Sequence, residues 1–190
     1  MAKIVAIVEG DGEVEAVPLL IRRIGSEVCP LVPLDVAKPI RIRRNRIVKE
    51  GELERYVALA AARAGKGGRI MILLDANGDC PAELAPIILR RVRETRPDIR
   101  IEVVLAKCEF EAWFISAIES VAGTRRIHPD LSAPADPESI RGAKEWLRKG
   151  GTYSPNADQA ALTARFDMAL ARERSPSFDK MWRATSELLR

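Results

Sequence analysis

What the 190-residue chain lacks narrows its chemistry before any motif is considered. It has three cysteines, Cys29, Cys80 and Cys108, an odd number with no C-x-x-C pair. That fits neither a disulfide framework nor a tetrahedral zinc knuckle. The only histidine, His128, lies in the loop sequence R-R-I-H-P-D and reads as a turn residue rather than a ligand. No run of 18 apolar residues occurs, and the apolar opening stops at Glu9 without the pattern of a leader peptide. The expectation is therefore a chain of the reducing cytoplasm with no membrane segment. Internal repeats and low-complexity tracts are also missing. G-K-G-G at 65–68 lacks the G-x-x-x-x-G-K-[ST] frame and precedes a strand rather than a helix, so it does not predict ATP binding.

What is present fits a globular protein. Hydrophobic residues make up 47% and charged ones 31%, enough apolar surface for one domain with a helical appendix. The net charge of +4 is modest, and its distribution says more than its sum. K-P-I-R-I-R-R-N-R-I-V-K at 38–49 holds six cations and no acid, whereas acids gather at 9–15, 75–79 and 109–111.

Periodicity predicts alternating strands and helices. Ile4–Val8, Arg69–Leu74 and Ile99–Ala106 are short apolar runs suited to strands buried on both faces. A further strand lies in either Leu31–Val36 or Ile40–Val48, the second alternating apolar and cationic faces. Helices are expected over Glu13–Glu27, Glu52–Ala64, Pro81–Thr95 and Glu109–Val121, then, after a Pro- and Ala-rich loop, at 138–148, 157–172 and 176–189. This alternation predicts a doubly wound α/β domain over 1–122, with a mainly parallel four-stranded sheet. Residues 123–190 form a helical extension packing on the same domain. Trp113 and Phe114 read as core, and Cys80 and Cys108 as small buried hydrophobes.

In a parallel sheet the residues just past the strands' carboxyl ends share one edge, where such folds place ligands. Here those residues are acidic: Glu9 and Glu13 after the first strand, Asp75 and Asp79 after Arg69–Leu74, Glu109 and Glu111 after Ile99–Ala106. Carboxylates packed together raise one another's pKa unless a cation joins them, so the cluster points to a hard metal, magnesium or manganese. The same acids also have a plain structural reading, as turn residues and as partners of helix N-termini. Glu109 and Glu111 lie about 200° apart on a helix, so both face the cluster only if Glu109 precedes it, and Glu111 is the preferred ligand.

V-E-G-D-G-E at 8–13, L-L-D-A-N-G-D-C-P at 73–81 and E-F-E-A-W-F at 109–114 together resemble a Toprim (topoisomerase-primase) domain. More narrowly, they resemble an uncharacterised bacterial Toprim-like family related to the overcoming-lysogenisation-defect nucleases. K-E-W-L at 144–147, T-Y-S-P at 152–155 and S-P-S-F at 175–178 extend the likeness into the tail. The resemblance implies a Toprim-like fold and a divalent-metal phosphoryl-transfer site, nuclease-like and acting on DNA or RNA. Glu9 would handle protons or bind metal, Asp75 and its neighbours would hold the ion, and an acid after the fourth strand would complete the site. It also implies a phage-defence setting with a partner ATPase. The expected metal set is Glu13, Asp75, Asn77, Asp79, Glu109 and Glu111, with Glu9 and Lys107 as catalytic groups. The sequence departs from the Toprim D-x-D spacing: Asn77 stands in the second place and Asp79 follows two residues late.

Arg41, Arg43, Arg44 and Arg46 could track a nucleic-acid backbone or simply solvate an edge strand. Trp146, Phe166, Trp182 and Leu188 in the tail could face a partner or a second copy, or pack on the sheet. Three functions remain open: a metal-dependent nuclease, a catalytically weak Toprim scaffold regulated by an ATPase, and, by fold analogy alone, a receiver-like phosphoacceptor switch.

Overall fold

A computed structural model describes residues 3–47, 49, 51–149 and 151–190. Its centre is β1 (Lys3–Val8), whose residues from Ile4 onward are fully buried. Ile4, Ala6 and Val8 enter one hydrophobic core and Val5 and Ile7 another, as the two-residue period of a strand covered on both faces requires. β4 (Arg69–Asp75) lies parallel to β1, with Ile4 opposite Arg69, and β5 (Arg100–Ala106) lies parallel beyond it, with Arg69 opposite Arg100.

On the other side of β1 are two short strands, β2 (Asp35–Val36) and β3 (Ile40–Arg41), both parallel to it. The sheet therefore has five strands rather than the four expected, because both stretches offered as the second strand pair with the same neighbour. β2 sits on Lys3 and Ile4, β3 on Ile7 and Val8. Leu31 and Val32 are exposed and outside the sheet. The expected strand to Val48 ends at Arg41, and Arg44–Ile47 turns into a short helix, α2, while Val48 itself lies outside the described residues.

α3 (Glu52–Ala64) and α4 (Pro81–Thr95) cover one face of the sheet. α3 ends where Gly65 takes φ 72°, a conformation that favours glycine. α1 (Glu13–Val28) covers the other face, joined by α5 (Ala112–Ser116), α6 (Ala143–Leu147), α7 (Pro155–Thr163), α8 (Met168–Arg174) and α9 (Pro176–Leu189). Gly12, just before α1, lies so close to α7 that a Cβ there would fall 2.1 Å from Gln159 Oε1 and 2.7 Å from the Pro155 carbonyl oxygen.

Three expected helices are broken. Glu109–Val121 shortens to α5 and a 3₁₀ turn at Ile118–Ser120. Ser116 and Ser120 each donate a hydroxyl to the carbonyl three residues back, competing with the helical ladder. The stretch 138–148 becomes a 3₁₀ turn at Pro137–Ser139 and then α6, divided where Gly142 takes φ 71°. The stretch 157–172 splits into α7 and α8 because Asp167 caps a new helix, accepting from the Leu170 amide at 3.0 Å. α9 starts at Pro176 with Ser175 as its cap, accepting from Phe178 N.

Five rings of the α1 face close a circuit: Phe110, Trp113, Phe178, Phe166, Phe114 and back to Phe110, at centroid separations of 4.7 to 5.5 Å. Trp113 and Phe114 are core, as expected. Phe166 and Leu188 are buried there too, and Trp146 and Trp182 pack partly buried against it. Cys80, expected inside, is exposed because it caps the start of α4; all three cysteines are free thiols. His128 is a turn residue, its Nδ1 accepting from Asp130 N at 3.3 Å. Among the described residues no helix is long and apolar enough to cross a membrane.

Candidate functional site at the carboxyl edge of the sheet

The parallel strands bring Glu9, Glu13, Asp75, Glu109 and Glu111 to one edge. Glu13, in the first turn of α1, is buried; its Oε2 accepts from the amides of Glu9 at 3.0 Å and Gly10 at 3.1 Å. Asp75 ends β4, buried, with Oδ1 accepting from Phe110 N at 2.8 Å across to the turn after β5. Glu109 lies in that turn and Glu111 caps α5, so both acids reach the cluster.

The cation among them comes from the tail. Lys144 Nζ, on α6, lies 2.8 Å from Glu109 Oε1, 3.5 Å from Glu111 Oε2 and 3.8 Å from Asp75 Oδ2. Its backbone amide also donates to Glu109 Oε2, at 3.2 Å. Tyr153, fully buried where Lys144 is half-buried, donates its hydroxyl to Glu111 Oε1 at 2.9 Å. Neither residue was expected at the site. The only sequence hint was that K-E-W-L and T-Y-S-P looked like family blocks; no spacing ties them to the strand ends.

The Lys144 ammonium, with the Arg44 guanidinium 4.0 Å from Glu9 Oε2 at the rim, does not balance five carboxyl groups. Glu111 Oε2 and Glu9 Oε2 are buried and accept no hydrogen bond among the described residues; Lys144 approaches Glu111 only as an ion pair. Burial and the charges of Glu111 and Glu9 push Glu13 up to about 7, against two backbone amides that pull it down. Burial, then Glu13, drives Asp75 well above the usual carboxylate range, with Lys144 opposing. Burial also raises Glu9 and Glu111. Burial alone would lower Lys144, but Glu111, Glu109 and Asp75 outweigh it and hold its proton on. Burial and the Glu111 charge raise Tyr153, which remains a donor.

The other expected residues stand apart. Asn77 and Asp79 are exposed on the turn after β4. Asn77 takes φ 53° and donates its backbone N–H to the Cys108 carbonyl oxygen at 3.1 Å, while Cys108 itself takes φ 63°. Asp79 pairs with Arg44 Nη2 at 2.6 Å, and Arg44 also donates to the carbonyl oxygens of Asp75 and Ala76. Arg44 thus braces the β4 turn. Arg41 pairs with Asp11 at 2.7 Å and bonds the Glu9 carbonyl; Arg46 lies 3.6 Å from Glu52. Of the four arginines, only Arg43 makes no ion pair or side-chain hydrogen bond with a described residue. The side chain of Lys107 likewise makes no ion pair or hydrogen bond with a described residue, and its amide donates to Ser177 Oγ at 3.2 Å. Ser177 Oγ also accepts from Trp113 Nε1 at 2.8 Å and donates to buried Glu138, fastening α9 to the end of β5.

Residues 8–184 match the family model described as Domain of unknown function (DUF4276). The chain belongs to that family. The match runs from the end of β1 to Ala184 within α9, so it includes the segments that supply Lys144 and Tyr153. No curated protein and no solved structure matches the chain.

The donors, all carboxylate oxygens, suit a hard divalent cation in kind. Their present spacing is set by Lys144: among the described residues no group of three or more His, Cys, Asp or Glu side chains is arranged to hold a metal ion. What favours a further cation is the pair of buried oxygens that accept no hydrogen bond, Glu111 Oε2 beside Lys144 at 3.5 Å and Glu9 Oε2 beside Arg44 at 4.0 Å.

Proposed function

We propose that this DUF4276 chain is a Toprim-like, divalent-metal-dependent phosphoryl-transfer protein, nuclease-like and acting on DNA or RNA. The observation that supports it is the surplus of buried carboxyl charge over Lys144, with Glu111 Oε2 left unbonded. Asp75, Glu109 and Glu111 would hold the ion, with Glu13 behind them fixing the β1 turn through the Glu9 and Gly10 amides. Magnesium or manganese bound there would activate a water and offset charge developing on a phosphate. Glu9 keeps a part of its side chain open to solvent and has a raised pKa, which suits a group that holds or takes a proton. Lys107, solvent-exposed past β5, would contact an anionic substrate. Lys144 ties the acids together through its ion pairs with Asp75, Glu109 and Glu111.

A second reading is favoured by the β4 turn. Asn77 and Asp79 face solvent, and Asp79 is already neutralised by Arg44, so the place that the Toprim pattern fills with a second aspartate offers no free charge. On that reading the chain is a catalytically weak scaffold that works with a partner ATPase or as a homodimer.

Manganese titration by calorimetry, with cleavage of plasmid and single-stranded DNA, separates the two. The first reading expects manganese binding and cleavage, both lost in Asp75→Ala. Manganese binding without cleavage, with cleavage appearing in Asn77→Asp, favours the scaffold. Absence of manganese binding at millimolar metal overturns the metal reading.

A further inference from the structure

A phosphoryl-transfer site needs somewhere for the anionic part of its substrate, and a carboxylate cluster repels it. Directly beside the cluster is a cavity of about 200 Å³ lined by Asn77, Gly78, Cys108, Glu109, Arg141 and Gly142. It shares a wall, Glu109, with the Lys144 pair, so whatever fills it lies next to the acids. Arg141 is exposed at its rim and makes neither hydrogen bond nor ion pair with any described residue. Its guanidinium can turn into the cavity without breaking a hydrogen bond or ion pair to a described residue.

The rest of the lining suits an anion. Both oxygens of Glu109 are engaged by Lys144, one by the ammonium and one by the backbone amide. Cys108 directs its Sγ at the Glu138 carbonyl oxygen at 3.6 Å. Gly78 and Gly142, both at positive φ, put no side chain into the space. The Asn77 side-chain amide can donate, bound among the described residues only at 3.4 Å to the Asp75 carbonyl oxygen. The volume falls below that of a pocket for a drug-sized molecule, so it fits a phosphate with part of its sugar rather than a whole nucleotide or a duplex.

We propose that this cavity is the substrate-phosphate subsite, in which Arg141 grips non-bridging oxygens of a nucleic-acid phosphate adjacent to the one that reacts. The inference rests on the phosphoryl-transfer reading and adds to it a binding residue and the part of the substrate it takes. Arginine suits the task because its planar fork meets two phosphate oxygens at once, which lysine cannot do.

The test uses the full chain as wild type, Arg141→Ala and Arg141→Lys. Calorimetry with manganese alone is run beside fluorescence anisotropy with a short labelled single-stranded oligonucleotide in manganese. Arg141 makes no hydrogen bond or ion pair with a described residue and is exposed, so both variants are expected to melt with the wild type. Arg141→Ala should bind the oligonucleotide about tenfold more weakly and flatten the log–log salt slope by about one unit, Arg141→Lys should recover only part of the loss, and manganese affinity should not move. Wild-type oligonucleotide affinity in Arg141→Ala, with manganese bound by both, overturns the subsite and leaves the reading of the metal site standing. Failure of the wild type to bind manganese overturns that reading and the subsite with it.

Discussion

The two faces of the sheet are built from different materials. Under α3 and α4 the buried core is aliphatic, Val5, Ile7, Leu53, Val57, Ile72 and their neighbours, with no buried aromatic. Under α1 and the tail it holds Phe110, Trp113, Phe114, Tyr153, Phe166 and Phe178. The difference follows from where each cover comes from in the chain. α3 and α4 are crossovers between successive strands, laid down locally with small residues at close range. The opposite face has only α1 and the short α5 from the strand region, so Phe110, Trp113 and Phe114 next to β5 are joined by Tyr153, Phe166 and Phe178 from the segment after residue 123 to fill the remaining span. The tail is therefore half of a core, and by closing it the tail carries Lys144 and Tyr153 to the strand ends.

The largest effect should come from breaking the ring circuit. Phe166→Ala removes a fully buried ring that packs on Phe114 and Phe178 and lies under Arg23, so it should cost about 4 kcal/mol in urea unfolding. It should do so in one transition that includes the sheet. A two-step melt, with the sheet transition unmoved, would show instead that the tail is a separable unit.

Lys144→Ala tests the electrostatic half of the same idea. Removing the ammonium leaves Glu109, Asp75 and buried Glu111 without their ion-pair partner, and stability at pH 8 should fall by about 3 kcal/mol. The loss should shrink as the carboxyls protonate at lower pH. A variant as stable as wild type at pH 8 would mean that Lys144 only decorates the edge.

Wild type itself should respond to pH in the direction opposite to a protein rich in well-paired carboxylates. Glu13 and Asp75 have folded pKa values above their unfolded ones, so the native state binds more protons and stability falls as pH rises from the unfolded value near 4.5 through about 7. Melting temperature should therefore rise between pH 8 and pH 6, and manganese at pH 8 should substitute for the missing protons. A flat profile over that window would contradict the raised values.

The smallest effect belongs to the aliphatic face. Ile72→Val, buried against α3 and α4, should cost about 1 kcal/mol and leave metal and oligonucleotide binding untouched.

How much of this was legible follows from sequence distance. β1, β4 and β5 and helices α1, α3 and α4 could be read within a residue or so, because strands buried on both faces are unbroken apolar runs and amphipathic helices announce their period. The same logic gathered Glu9, Glu13, Asp75, Glu109 and Glu111, since strand ends of a parallel sheet share an edge. Arg41–Arg46 misled as an extended cationic face because alternation persists over too few residues to show that the strand stops at Arg41. Helix breaks at Ala117, Gly142 and Asp167 were missed because hydroxyl-to-carbonyl bonds, a positive φ and a mid-run cap each leave the hydrophobic spacing intact. Lys144, Tyr153 and Arg141 could not be placed, because their relation to the site exists only once the tail has folded back.

Gly12 shows how tightly that folding-back binds the two ends of the sequence together. With the Pro155 carbonyl and Gln159 pressed against it, even a methyl group would have to push α7 away from the loop that positions Glu13. Any branch of the family that acquired a side chain at this position would need a compensating change around 155–159. The two segments are thus expected to vary as a pair, with substitutions in one tolerated only on backgrounds altered in the other.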